Sequence, residues 1–71
     1  MSARPELQVT VNGRPLPLSE GSSVADLIRE VGVGGRYAVE INRRIVPRSE
    51  HGKTLLQAGD RVEIVQAIGG G

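Results

Sequence analysis

A chain of 71 residues has room for one compact domain, and such a chain buries only about 60% of the surface that its unfolded form exposes. Hydrophobic residues make up 38% and charged residues 24%, with no Phe, no Trp and a single Tyr, so the core must be thin and aliphatic and no aromatic stacking platform exists. A net charge of +1 falls short of the basic excess that drives phosphate binding, no apolar run is long enough for a membrane span, and the absence of cysteine excludes disulfides and thiolate metal sites.

After a short arm over residues 1–5, Leu7, Val9 and Val11 alternate with Gln8 and Thr10, which predicts a half-buried strand. Asn12-Gly13 favours a type I′ turn, because both central positions need positive φ, and sends the chain back as a hairpin through Arg14 to Leu18. Pro15 and Pro17 lack the N–H that a ladder needs, so this second strand belongs at a sheet edge or pairs only at alternate positions. The period then changes. Val24, Leu27, Ile28 and Val31 share one face of a helix of about nine residues, with Ser23 as N-cap, Asp26 in the first turn and Gly32 at the left-handed C-terminal cap. Alone in water so short a helix is marginal, so its apolar stripe must pack on a sheet.

Gly32 to Gly35 form a flexible connection to a third strand, Tyr37–Ile41, with Val39 and Ile41 facing one way. Asn42 to Arg44 turn the chain into a short fourth strand, Ile45-Val46-Pro47, and Arg48 to Thr54 read as a polar loop leading to Leu55 and Leu56. Gln57-Ala58-Gly59-Asp60 is turn chemistry, and Arg61 to Val65 resume the alternation with Val62 and Ile64 inward. This order implies an α+β fold of the β-grasp kind: a mixed sheet of four to five strands with one main helix on one face and the other face open. The domain is expected over residues 6–66, followed by a flexible tail over 67–71.

Side-chain catalysis finds little to work with. His51 is the sole histidine and reads as a solvated loop residue, and no carboxylate pair has the spacing of an acid–base site, so an autonomous enzyme is not expected. Arg43, Arg44, Arg48 and Lys53 bias the middle of the chain toward positive charge, either as a solvated face or as a patch that steers an acidic partner. The feature that calls for a function is the end. Gly69-Gly70-Gly71 follow directly on Val65-Gln66-Ala67-Ile68, and the six residues beyond Val65 reach at most about 20 Å. Such a tail can thread a narrow channel where any Cβ would clash, and the group it delivers is the α-carboxylate of Gly71. A carboxylate becomes useful once ATP activates it to an acyl-adenylate. The ATP site, the metal and the nucleophile must then belong to a partner, since the chain has no phosphate-binding loop. A sulfur nucleophile gives a terminal thiocarboxylate; a lysine gives an isopeptide-linked modifier.

From Leu7 onward the chain resembles the ThiS family of thiamin-pathway sulfur carriers. The resemblance rests on Val11-Asn12-Gly13, on Glu20-Gly21-Ser22-Ser23-Val24, and on Ala38-Val39-Glu40-Ile41-Asn42 running into Ile45-Val46-Pro47-Arg48. Gly59-Asp60-Arg61-Val62 and Val65-Gln66-Ala67-Ile68 ahead of the glycines complete it. It implies a cytoplasmic carrier that binds no cofactor itself. A ThiF-like adenylyltransferase using ATP and Mg would adenylate Gly71, a sulfur-donor system would convert it to the thiocarboxylate, and thiazole synthase (ThiG-like) would receive the sulfur. By the same resemblance Gly70, Gly69, Ile68, Ala67 and Val65 contact the partner, with Gly69 departing from the family's frequent alanine. Neither nucleic acid nor membrane is expected as a partner. A molybdopterin-synthase small subunit (MoaD-like) and a ubiquitin-like protein modifier are the alternative readings.

Overall fold

A computed structural model of the chain describes residues 5–66. Five strands and one helix follow in the order β1 (Glu6–Val11), β2 (Arg14–Ser19), α1 (Val24–Val31), β3 (Tyr37–Ile41), β4 (Arg44–Val46) and β5 (Arg61–Gln66), with a 3-10 turn at Arg48–Glu50. The strands form one mixed sheet in the order β2-β1-β5-β3-β4. β1 and β5 run parallel at its centre and the other pairs are antiparallel. The last strand in sequence is therefore the middle strand in space. Of the arm expected at 1–5 only Pro5 is described, and its carbonyl accepts from the Glu20 N–H at 2.9 Å. The tail at 67–71 lies outside the described residues.

Both hairpins close on two-residue turns with positive φ at each central position, 51° and 86° at Asn12 and Gly13, 51° and 72° at Asn42 and Arg43. These values match a type I′ turn, whose twist suits the flanking strands. β2 lies at the edge, as its prolines require. Even-numbered residues of this strand turn toward β1, and the Glu20 N–H at its end donates inward. Pro15 and Pro17 have the opposite parity, so the N–H that each lacks is missing from the outer edge, where no ladder bond is lost.

The helix is built as its ends dictate. Ser23 caps it reciprocally: the Asp26 N–H donates to Ser23 Oγ at 3.1 Å and the Ser23 N–H donates to Asp26 Oδ2 at 2.9 Å. The hydrogen bonds from the Ser23 backbone and side chain, with a smaller contribution from Arg29 at 3.1 Å, hold the Asp26 carboxyl below its ordinary value. Gly32 ends the helix at φ 83°, and its N–H returns to the Ile28 carbonyl.

Val24, Leu27 and Ile28 press onto one face of the sheet against Val9 of β1, Val39 of β3 and Val62 and Ile64 of β5, with Leu18 and Leu56 closing the sides. Val31, expected in the same buried stripe, is 44% exposed. Val31 is the last residue of the helix and lies past the core, over the end of the β1–β2 hairpin beside Val11 and Leu16.

The segment after β4 departs most from the sequence reading. His51 is buried rather than solvated, at 7% exposure. Its Nε2 lies 3.0 Å from the Val46 carbonyl, and because a carbonyl can only accept, Nε2 carries the proton. The ring stacks on Tyr37 at 6.0 Å between centroids, and the His51 carbonyl accepts from the Ala25 N–H. One residue thus joins the end of β4, the side of β3 and the first turn of the helix. Thr54 adds a second acceptor at that turn, its carbonyl receiving the Val24 N–H.

Candidate functional site

The last described residue before the glycine tail is Gln66, so the site is built outward from β5. Its inward side chains, Val62 and Ile64, anchor it in the core. Arg61, Glu63 and Val65 alternate with them and point to the face that the helix leaves uncovered. On that face Val65 stands 61% exposed opposite Ala38 of β3, Glu63 stands opposite Glu40, and Glu40 is flanked on its other side by Ile45 of β4, which is 70% exposed. This face thus carries two exposed apolar side chains, Val65 and Ile45, with the carboxylates of Glu63 and Glu40 between them in the register.

β5 is gripped from both sides by asparagines of the two hairpin turns. On the β1 side the parallel ladder ends with the Asn12 N–H donating to the Val62 carbonyl at 2.9 Å, which would leave the N–H and C=O of Ile64 without a strand partner. The Asn12 side chain replaces that partner. Its Oδ1 accepts from the Ile64 N–H at 2.8 Å and its Nδ2 donates to the Ile64 carbonyl at 3.2 Å. At the other end of the strand Asn42 Oδ1 accepts from the Arg61 N–H at 2.9 Å, and Asn42 Nδ2 donates to Asp60 Oδ1 at 3.1 Å. Gln66 is tied in turn, its Nε2 donating to the Gly34 carbonyl at 3.2 Å. The strand that leads to the tail is therefore fixed along its whole length. Sequence reasoning identified Asn12 and Asn42 as turn residues and missed this second role; the recurrence of Asn at the first position of both turns was the available signal.

The three arginines read as a possible patch each line a different groove. Arg43 shares a shallow groove with Asn42, Gly59 and Arg61. Arg44 lines a groove of about 520 Å³ between β4 and the segment through Leu55. Arg48 lies over the Tyr37 ring at 5.0 Å, beside His51 and Arg29. Gly71, Gly70, Gly69, Ile68 and Ala67 lie outside the described residues. Among the described residues no three His, Cys, Asp or Glu side chains gather to hold a metal ion, and no helix is long and apolar enough to cross a membrane.

The ThiS family profile matches residues 6–71. The chain is 30% identical to the sulfur carrier protein ThiS of Escherichia coli, over 92% of this chain and the full length of that protein. It is also 39% identical to the thiazole synthase of Paramagnetospirillum magneticum, over 92% of this chain but only 20% of the relative, so the chain spans about a fifth of that protein's length. In structure it superposes on the thiamine biosynthesis protein ThiS of Geobacter metallireducens with a TM-score of 0.78 at 30% identity, covering 92% of this chain and all of that one.

Proposed function

The chain belongs to the ThiS family, and from that premise we propose that it is a sulfur carrier of thiamin biosynthesis whose reactive group is the α-carboxylate of Gly71. The observation that carries this reading is a family match that runs to Gly71 and spans the whole of the E. coli carrier. In this reading the chain supplies no catalytic side chain and is the protein substrate of partner enzymes. A ThiF-like adenylyltransferase, holding ATP and Mg, brings the Gly71 carboxylate to the α-phosphorus. Pyrophosphate leaves, and the acyl-adenylate forms. A sulfur nucleophile from the donor system then displaces AMP at the same carbonyl carbon, giving the terminal thiocarboxylate. A thiazole synthase is the receiver. Two relatives that bear that name each contain a stretch like this chain in about a fifth of their length, which favours a working association between the two activities. The setting is cytoplasmic.

The fold suits the task through β5. A tail that enters a partner's channel is useful when its base is held still, because ordering entropy is then lost over few residues. The ties on Arg61, Ile64 and Gln66 hold that base. Val65 on the open face, with Ala67, Ile68, Gly69 and Gly70 beyond it, makes the partner contacts in this reading.

The direct test is intact-mass measurement of the chain incubated with its activating enzyme, ATP and a sulfur donor, beside a variant lacking Gly71. The expected result is a gain equal to exchange of one oxygen for sulfur, absent from the variant. No gain with a competent activating enzyme would sink the reading.

A further inference from the structure

We propose that Glu40 and Glu63 form a receptor for a cationic side chain, an arginine, on the activating enzyme that covers the open sheet face; this rests on the carrier reading above. The sheet register sets the two glutamates directly opposite each other on β3 and β5. They have the same parity as the Asn42–Arg61 pair two steps along, where the Asn42 N–H donates to the Arg61 carbonyl at 2.8 Å, so both side chains rise from the uncovered face. Residues so placed have Cβ atoms about 4.5–5.5 Å apart, and like charges directly opposite each other destabilise a sheet.

Among the described residues no ion pair or side-chain hydrogen bond relieves this opposition. Among the described residues the single ion pair is Arg29–Asp26, on the helix, and neither glutamate carboxylate takes part in a side-chain hydrogen bond. Arg61 shares the face, two residues along β5, without reaching either carboxylate. The pair is bordered by the exposed apolar groups Val65 and Ala38 on one side and Ile45 on the other. A partner that packs on Val65 must therefore also take water from the glutamates. Covering two unpaired carboxylates is costly unless the partner brings a positive charge into contact with them. A guanidinium fits best, since its five donors in a planar fork can serve two carboxylates at once. The acidic pair, with Val65, Ala38 and Ile45 beside it, thus selects a partner whose matching surface is an arginine next to apolar side chains, and it repels a second copy of this same face.

The test sets stability against binding. The full-length chain and its Glu40→Gln, Glu63→Gln and double variants are compared by thermal melting alone, and by affinity for the ThiF-like enzyme at low and high salt. The expected result has opposite signs in the two assays: the double variant melts at a higher temperature, yet binds at least about tenfold more weakly and with a flatter salt dependence. A purely structural role would lower both together. Affinity unchanged in the double variant overturns the proposal, as does unchanged affinity accompanied by self-association, which would make the pair a device for keeping copies apart. Failure of the wild-type chain to gain sulfur mass would instead count against the carrier reading, so the two can be told apart.

Discussion

The two faces of the sheet are made from the same strands and differ in almost everything else. On the covered face every contact is matched: Val9, Val39, Val62 and Ile64 meet Val24, Leu27 and Ile28, and the first N–H groups of the helix find acceptors in Ser23, His51 and Thr54. On the open face Val65 and Ile45 are bare to solvent and two glutamates oppose each other. Folding determines the first face and is indifferent to the second, and a side chain that folding does not explain is the natural place to look for a partner.

This contrast can be broken at three points. Leu27 is fully buried at the centre of the covered face, and Leu27→Ala should destabilise the domain by about 3 kcal/mol through lost transfer energy and a cavity, read by urea denaturation. A change below about 1 kcal/mol would show that this face is not the stabilising one. Asn12→Gly keeps the positive φ of its turn while removing both side-chain bonds to Ile64, and should cost about 1–2 kcal/mol. Hydrogen exchange should quicken at the Ile64 amide far more than at Val9; equal protection at both would mean that the clasp is dispensable. Val65→Asp, on the open face, should change stability by no more than about 0.5 kcal/mol and yet abolish adenylation. Normal turnover by that variant would remove Val65 from the docking surface.

Most of the fold was legible because its signals are local. Ser23, Asp26 and Gly32 mark the helix within its own sequence, Asn12-Gly13 fixes the first turn, and Pro15 and Pro17 consign β2 to an edge. What was not legible depends on residues far apart in the chain. Asn12 and Ile64 are separated by 52 positions, and nothing near Asn12 announces that its amide will stand in for a missing strand. His51 sits among polar neighbours, and only the meeting of β4, Tyr37 and the helix start makes its position an interior one. Val31 follows the helical period faithfully but outruns the sheet beneath it. Of the candidate site, Val65 could be read from strand alternation. The opposition of Glu40 and Glu63 needed the register, and the groove that each of Arg43, Arg44 and Arg48 lines needed the third dimension.

The prolines of β2 have one more consequence. A protein that keeps an apolar sheet face uncovered invites its own copies to associate, and the quickest route to runaway polymerisation is not face to face but strand to strand, along an unpaired edge. The longer of the two edges of this sheet is β2, six residues against the three of β4. Two of its outward positions can offer no hydrogen to an incoming strand, so a docking copy would find acceptors without the matching donors. The same two residues that send β2 to the margin of the sheet also stop the sheet from growing there, so the open face is not lost to edge-to-edge assembly.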